Sequence, residues 1–235
     1  MFKTTKLLRG FTEISVLYDL AQKNDCVICG GYARYCASPL STKKVKEAWD
    51  VDIFPKSEQA CDDMLKDLIS LGYKKDYENH VSITMAVKGK KHPELNSIPT
   101  PQIIKPVIEG KIVTLGTVEE ILNNFDFTIV RAAIISPTEV MVDEDFLDDE
   151  LHGILRLKNI HCPISSLLRC CKYARKGYFM RPFEALKLFQ DWTNRGPDYQ
   201  LRIIELFSKS SLGDKDPNKI TRKEIDELEA LLRID

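Results

Sequence analysis

Two short stretches decide the fold: Cys26–Tyr35, which reads CVICGGYARY, and Trp49–Phe54, which reads WDVDIF. The first predicts a buried strand, a Gly-Gly turn and the start of a helix, and the second predicts another strand. Successive residues of a strand point to opposite faces of a sheet. Asp50 and Asp52 are therefore expected on the same face, about 7 Å apart along the chain.

This pair of carboxylates next to a glycine turn indicates a phosphate and metal site. Mg²⁺ is commonly held by one or two carboxylates and completes its coordination with substrate phosphates. Gly30 and Gly31 let backbone amides approach a ligand closely, and the helix predicted after them points its positive end to the same place. The pattern favours a nucleoside triphosphate site. The alternative is a pair of solvent-facing aspartates on an edge strand, although Asp is depleted in strands.

Composition bounds the protein class. The chain has 235 residues and a net charge of −1, so we expect one large or two small domains, with any nucleic-acid contact confined to a local patch. No leader peptide and no apolar run of membrane-spanning length are visible, which predicts a cytoplasmic protein without a membrane partner.

The seven cysteines are odd in number and lack secreted spacing, which argues against a disulfide framework. Cys26 and Cys29 have C-x-x-C spacing but would face opposite ways on a strand. Cys162, Cys170 and Cys171 lack a matching pair at zinc-ligand spacing. The cysteines are therefore interpreted as small buried hydrophobic residues.

Hydrophobic periodicity places strands in the first two-thirds of the chain and helices in the last third. Helices are expected at Phe11–Asn24, 31–38, a Ser57-capped segment to Leu71, a Thr117-capped segment to Asn124, Ser165–Gly177, Pro182–Asn194, Asp198–Ser210 and Thr221–Leu232. Strands are expected at Cys26–Cys29, Asp50–Phe54, Val81–Val87 and Gln102–Ile108, the last near a sheet edge or bulged because Pro106 cannot donate.

These elements predict an α+β fold, with a mixed sheet flanked by helices and then an α-helical C-terminal domain. The acidic run Asp143–Glu150 marks a change in composition. We therefore place the domains at residues 1–150 and 151–235. The lysine-rich interval from Ser38 to Glu47, including Lys43–Lys46, is expected to be an exposed loop.

Three stretches, in this order, resemble the DNA polymerase β-like nucleotidyltransferase superfamily. They are CGGYARY with WDVDIF, then NFDFTIVRAA from Asn124, and then RCCKYARKGY from Arg169. The chain looks closest to the poly(A) polymerase and tRNA CCA-adding head domains and to virus-type nucleotidyltransferase-like proteins. The resemblance implies a nucleotidyltransferase-type sheet, a nucleoside triphosphate donor, Mg²⁺ and a hydroxyl acceptor such as RNA.

The resemblance also assigns roles to residues. It implies that Asp50 and Asp52 are catalytic and ligate Mg²⁺, and that Gly30 and Gly31 cradle the phosphates. Arg34 would reach the triphosphate or pair with a carboxylate within the fold. A third carboxylate is expected on a neighbouring strand of such enzymes.

The sequence departs from the family pattern at several positions. The strand expected to carry the third carboxylate has Gln102 and Lys105, so Asp126 and Glu109 are the candidate substitutes, and Asp126 is taken as catalytic. Tyr35, Phe125 and Val130 stand where CCA-adding enzymes have Asp, Arg and Asn. These departures, and a short helical tail, argue against tRNA CCA addition as such.

Further charged residues are candidates for nucleotide binding. Asp126 and Arg131 lie in an apolar segment and must be paired or contact a ligand. Arg169, Lys172 and Lys176 are spaced along one helical face, which could meet a triphosphate or polynucleotide, or could simply be solvated.

Two further residue types have simpler alternatives. Tyr173 could stack on a base or pack within the helices. His152 and His161 have no partner at catalytic spacing and are interpreted as structural or surface residues.

The predicted function is transfer of a nucleoside monophosphate from a nucleoside triphosphate to a hydroxyl acceptor, with release of pyrophosphate. A minimal viral or phage member acting in RNA processing fits the short tail best. Two alternatives remain open: a catalytically degenerate binding protein, and a toxin- or antitoxin-type member that modifies a protein or a tRNA. The oligomeric state is left open.

Overall fold

The computed structural model describes residues 1–40, 50–79, 81–87, 99–108, 111–112, 116–160 and 163–209. Several predicted features lie outside these residues: the Lys43–Lys46 loop, Glu109, His161, Cys162 and the helix expected at Thr221–Leu232.

A mixed sheet forms the centre of the molecule. The strands are β1 (Phe2–Lys6), β2 (Cys26–Cys29), β3 (Asp50–Pro55), β4 (Tyr73–Glu78), β5 (Ser82–Val87), β6 (Thr100–Ile104), β7 (Val107–Ile108), β8 (Lys111–Ile112), β9 (Ala132–Ser136), β10 (Glu139–Asp143), β11 (Ile154–Leu155) and β12 (Phe179–Met180). Eight of them form one sheet in the order β1-β10-β9-β2-β3-β6-β5-β4. Only β3 and β6 pair in parallel within it.

Helices surround this sheet. They are α1 (Phe11–Lys23), α2 (Gly31–Ala37), α3 (Glu58–Ser70), α4 (Val118–Asn123), α5 (Phe146–His152), α6 (Pro163–Ala174), α7 (Pro182–Asn194) and α8 (Gly196–Lys209). A 3₁₀ turn occupies Thr128–Val130. The expected α+β architecture is confirmed, and no helix of the described part of the chain could cross a membrane.

Strand alternation explains how the sheet separates its two faces. Val51 and Ile53 of β3 are completely buried, while Asp50 and Asp52 on the other face are only partly buried. Cys26 joins the cluster beneath α1 and α3, whereas Cys29 joins the cluster on the opposite face. The expectation that these two thiols face opposite ways is therefore confirmed.

The helices that cover the sheet begin where their capping residues predict. Ser57 accepts a hydrogen bond from the Ala60 amide at the start of α3. Thr117 and Glu120 form a reciprocal capping box at the start of α4. Both caps satisfy amides that would otherwise lack a partner in the first helical turn.

The edge-strand interpretation of the Gln102–Ile108 segment was wrong. β6 lies inside the sheet between β3 and β5, and it ends at Ile104. Pro106 follows after the chain has left the main sheet, so its missing N–H does not interrupt the ladder. The sequence reasoning also missed β4 and the β1–β10 pair, because their charged residues hide the strand pattern.

A separate hydrophobic cluster connects the sheet region to the C-terminal helices. Phe127, just before the 3₁₀ turn, and Ile129, within it, pack in the same cluster as Tyr173 and Leu188. Tyr173 belongs to α6 and Leu188 to α7. The position of a domain boundary at residue 150 stays a prediction.

Candidate functional site

Asp50 and Asp52 lie on β3, which is paired with β2 on one side and β6 on the other. Asp52 is opposite Cys29 of β2 and opposite Gln102 of β6, and Asp50 is opposite Thr100. Burial, together with the Asp52 carboxylate, raises the pKa of the Cys29 thiol well above its usual value, so this thiol stays neutral beside Asp52. Asp50 and Asp52, here called the dyad, therefore share their face of the sheet with the neutral side chains of Cys29 on β2 and Gln102 on β6.

Gly30 brings the backbone close to this dyad. Its φ of 77° and ψ of −136° form a conformation that essentially only glycine adopts. A Cβ atom at Gly30 would lie 3.2 Å from Oδ2 of Asp52 and 3.3 Å from the Phe125 ring. The missing side chain therefore keeps open a narrow space between the turn and the carboxylate.

The two glycines of the turn differ in what their amides do. The Gly30 amide donates to the Ala132 carbonyl at 2.9 Å, and phosphate binding at Gly30 stays a prediction. Gly31 is the first residue of α2, and a Cβ atom there would meet nothing within 4 Å. Phosphate binding at Gly31 stays a prediction.

Gln102 occupies the position next to Asp52 where the superfamily pattern predicts a third acid. Its Nε2 donates to Oγ of Ser82 at 2.7 Å, which fixes the orientation of the amide. Across the described residues, no cluster of three or more His, Cys, Asp or Glu side chains is placed to hold a metal ion. Two carboxylates and the open space at Gly30 still fit Mg²⁺, provided that substrate phosphates complete the coordination.

Asp126 holds the segment before the 3₁₀ turn against α6. Its carboxylate accepts hydrogen bonds from the Phe127 amide at 3.0 Å, from Oγ of Ser166 at 3.1 Å and from Nη1 of Arg169 at 2.9 Å. The residue is 3% exposed. Of the two readings left open by the sequence, the structure shows the paired one, and the catalytic role assigned to Asp126 stays a prediction.

The three cations of α6 do not form a uniform surface. Arg169 pairs with Asp126, whereas Lys172 is exposed and Nζ of Lys176 lies 5.4 Å from the centre of the Tyr173 ring. The predicted row therefore begins at a buried carboxylate and ends over an aromatic ring.

Tyr173 packs within the helical region, as the simpler alternative held. Its ring contacts Phe127 and Tyr178 edge-on, with centroids 6.2 Å and 5.9 Å away. Burial raises its pKa to about 12, and the Asp52 carboxylate is among the charges that affect it. The Asp52 carboxylate therefore lies near enough to affect the Tyr173 hydroxyl, and stacking of Tyr173 on a base stays a prediction.

Arg34 has an internal carboxylate partner. Its guanidinium donates to Glu150 through Nε at 3.1 Å and Nη2 at 2.9 Å, and it also donates to the Tyr178 hydroxyl. All three residues are buried. The structure shows the pairing alternative for Arg34, and nucleotide binding by Arg34 stays a prediction.

Arg131 is likewise paired. It donates to Asp143 at 2.7 Å, to the Leu122 carbonyl at 3.0 Å and to the Asn123 side chain, and it lies over the Phe2 ring. Burial lowers the pKa of Arg131, and Asp143 opposes that effect. This charge holds β9, β10 and α4 together, and nucleotide binding by Arg131 stays a prediction.

The sequence reasoning missed the role of the acidic run before residue 151. Asp149 is fully buried, accepts a hydrogen bond from Thr128 at 2.6 Å and pairs with Arg156 at 3.0 Å. Asp143 and Glu150 of the same run are also fully buried. A usable signal is the apolar Phe146 inside the run, because it predicts that one face of this short helix is buried.

The fold resembles solved tRNA nucleotidyltransferases. A tRNA nucleotidyltransferase complexed with a primer tRNA and an incoming ATP analogue is 18% identical, with a TM-score of 0.52 over 92% of this chain and 60% of that one. The Thermotoga maritima CCA-adding enzyme complexed with tRNA is 15% identical, with a TM-score of 0.56 over 98% of this chain and 55% of that one. A CCA-adding enzyme complexed with CTP is 14% identical, with a TM-score of 0.56.

These likenesses show a nucleotidyltransferase-like fold, and the chain spans only about 60% of the length of such enzymes. No curated protein matches the chain. A family model described as Gad2, Gabija anti-defense 2 family protein, matches residues 3–152. That match covers β1 to α5 and includes both aspartates and the glycine turn. The chain therefore belongs to the Gabija anti-defense 2 family.

Proposed function

We propose that this protein is a Mg²⁺-dependent nucleotidyltransferase that moves a nucleoside monophosphate from a nucleoside triphosphate to a hydroxyl acceptor. The observation that carries the proposal is the close approach of Gly30 to Asp52, with Asp50 on the same face of β3. A turn held open by a glycine next to two partly exposed carboxylates suits a triphosphate and its cation.

The chemistry asks the protein mainly to position groups and neutralise charge. The acceptor hydroxyl oxygen forms a bond to the α-phosphorus, the bond from that phosphorus to the bridging oxygen breaks, and pyrophosphate leaves. Asp50 and Asp52 would hold Mg²⁺, which when bound neutralises the triphosphate and lowers the pKa of the attacking hydroxyl. Asp126 would act through Arg169, which it orients at 2.9 Å.

RNA is the acceptor that we propose first. The solved enzymes of similar fold are described with tRNA, ATP or CTP. Residues 163–183 also contain five Arg or Lys residues and no acid, and the three exposed ones, Lys172, Arg175 and Arg181, are able to meet a phosphate backbone. As a member of the Gabija anti-defense 2 family, the protein would use this transfer against Gabija defence. A viral or phage origin and a place in the cytoplasm would suit that role.

A second candidate is a binding protein that keeps the fold without the chemistry. The specific observation in its favour is Gln102, a neutral amide held by Ser82 at the place next to Asp52. A neutral group there cannot add to the negative charge that attracts a second divalent ion. Such a protein would hold a nucleotide or a partner protein and release no pyrophosphate.

The deciding experiment incubates the full chain with each α-labelled nucleoside triphosphate, Mg²⁺ and total RNA, and in parallel with total cell protein. The proposal expects label in RNA and pyrophosphate release, both lost in Asp50→Asn and Asp52→Asn. Asp19→Asn, an exposed acid on α1, is the matched control and should retain the reaction.

The outcomes separate the candidates. Label in protein would move the acceptor to a polypeptide hydroxyl, as in the toxin- or antitoxin-type alternative. Metal-dependent triphosphate binding by calorimetry without labelled product would favour the binding protein. Neither product nor metal-dependent binding, with any donor, would refute the proposed function.

A further inference from the structure

Helix α7 is apolar on two opposite sides. Leu188 is buried on one side, in the cluster that contains Tyr173. On the other side, Phe183, Leu186 and Phe189 are 66%, 63% and 68% exposed. Residues three apart lie close together along a helix surface, so these three side chains form one exposed stripe, here called the α7 stripe.

Helix α8 repeats this arrangement. Ile203 is buried, while Leu201 and Ile204 are 59% and 57% exposed. A helix that is apolar on all sides is normally buried between two layers. Among the described residues, α7 and α8 are each covered on one side only, the side of Leu188 and Ile203. Neighbouring large apolar side chains that are all more than half exposed, as on α7 and α8, mark a surface that another segment or molecule covers.

The chain itself carries a matching segment beyond α8. Residues 224–235 read EIDELEALLRID, with Ile225, Leu228, Leu231 and Leu232 at helical spacing. Thr221 and Glu224 form the capping-box pattern that predicts a helix start. The sequence thus predicts a second amphipathic surface, with an apolar side as long as the α7 stripe.

Charge favours this pairing. Residues 224–235 contain five acids and one base. Residues 163–181, which include α6 and lead directly into α7, contain five bases and no acid, whereas α7 itself contains Lys187, Glu184 and Asp191. An acidic segment lying on the α7 stripe is therefore attracted by the bases next to α7 and not by α7 itself.

The connection is long enough. Fourteen residues, 210–223, separate Lys209 at the end of α8 from Glu224. Fully extended, they span up to about 46 Å. Helix α8 is about 21 Å long at 1.5 Å per residue, so the segment could return along its whole length to reach α7.

We propose that residues 224–235 dock on the α7 stripe of the same molecule, with the apolar side of the segment against Phe183, Leu186 and Phe189. This proposal does not depend on the proposed chemistry. Because Leu188 packs with Tyr173, and Glu184 accepts a hydrogen bond from the Leu157 amide at 3.1 Å, docking would also stabilise the helices next to the candidate site.

Hydrogen exchange of the full chain, read by mass spectrometry, tests the docking. The variant Leu228→Asp/Leu231→Asp should speed exchange of the α7 peptide by about fivefold or more, as expected for a loss of about 1 kcal/mol. Ala230→Asp is the matched control, because it adds the same side chain on the opposite side of the predicted helix and should leave α7 unchanged.

A reciprocal variant changes the α7 stripe and measures exchange in the C-terminal segment, so the contact is tested from both sides. Phe183→Asp/Leu186→Asp should speed exchange in residues 221–235, while Ile69→Asp, at an apolar position of α3 that is 60% exposed, should not. Combining the two disruptive variants should add nothing at α7 beyond either alone. Peptides from β2 and β3 report whether a variant has unfolded, and they should stay protected.

Three outcomes would overturn the proposal. Equal exchange at α7 in Leu228→Asp/Leu231→Asp and Ala230→Asp would show that the segment does not cover the stripe. Protection that disappears on dilution, together with a fall in mass by light scattering, would assign the contact to a second copy. Protection of α7 that responds to its own variants but not to those of residues 224–235 would assign it to another occupant.

Discussion

Nη2 of Arg34 lies 2.9 Å from Oε1 of Glu150, a residue 116 positions further along the chain. The pair is buried, and the Tyr178 hydroxyl completes it. Arg34 belongs to the helix that follows the Gly30 turn, Glu150 to α5, and Tyr178 to the segment after α6. One guanidinium therefore connects the candidate site to both the acidic helix and the C-terminal helices.

Breaking this pair on one side should be costly. Arg34→Ala leaves the Glu150 carboxylate buried without its cation, so we expect a loss of about 3–5 kcal/mol in the free energy of unfolding. Arg34→Met/Glu150→Leu removes both charges and should be less destabilised than either single variant. Urea unfolding measures all of these. If the double variant loses as much free energy of unfolding as a single variant, or as much as the two single variants added together, the paired role of Arg34 is contradicted.

The glycine turn offers a matched pair of variants. Gly30→Ala places a Cβ in a backbone conformation that costs about 1–3 kcal/mol and directs it at Asp52. Gly31→Ala meets open space at the first residue of α2 and should change the stability by no more than about 0.5 kcal/mol. We expect lower stability and weaker triphosphate binding only for Gly30→Ala, measured by thermal unfolding and calorimetry. Similar behaviour of the two variants would refute the close approach at Gly30.

Replacing Asp126 should mainly lower stability, whereas replacing Asp52 should mainly lower activity. Asp126→Ala removes the acceptor for the Phe127 amide, Ser166 and Arg169, which should cost about 3–5 kcal/mol. Asp52→Asn changes a partly exposed group, so stability should stay within about 1 kcal/mol while nucleotidyl transfer is lost. Unfolding curves and transfer assays on the same samples test this. A fully stable Asp126→Ala variant without activity would instead support a direct catalytic role.

Restoring an acid next to Asp52 should strengthen metal binding. In Gln102→Glu, a third carboxylate joins Asp50 and Asp52 on the same sheet face, and we expect about tenfold tighter Mg²⁺ binding by calorimetry. Without metal, the added like charge should lower the melting temperature. Gln102→Met, which adds no charge but also loses the hydrogen bond to Ser82, should leave the Mg²⁺ affinity unchanged. Unchanged Mg²⁺ affinity in Gln102→Glu would argue against a metal site at the dyad.

Acid should weaken the β4 edge of the sheet. Hydrogen bonds and charge from Lys105 and Lys75 lower the pKa of Glu78 from 4.5 to about 2. A lowered folded-state pKa means that the contribution of Glu78 is present above pH 4.5 and is lost as the pH falls towards 2. Glu78→Gln should flatten the stability curve in that range, measured by urea unfolding. Because Glu78 is partly exposed, high salt should reduce the difference. A Glu78→Gln curve parallel to that of the unaltered chain would contradict the assignment.

Local patterns allowed much of the fold to be predicted. Apolar periodicity placed α1 and α3, the Ser57 and Thr117 caps marked two helix starts, and α7 begins and ends at the predicted residues. The alternation of Asp50 and Asp52 with Val51 and Ile53 also indicated which face of β3 is polar. These signals are local, because caps and periodicity depend only on residues within a few positions of one another.

The sequence by itself therefore determined several helices, the central strands β2 and β3, and the polar face of β3. Only the tertiary structure decided which charges pair. Arg34, Arg131 and Asp126 each allowed a ligand or a partner, and their partners Glu150, Asp143 and Arg169 lie 12 to 116 positions away. A buried charge must have a partner because desolvation is costly, but no local pattern states which residue the fold brings to it.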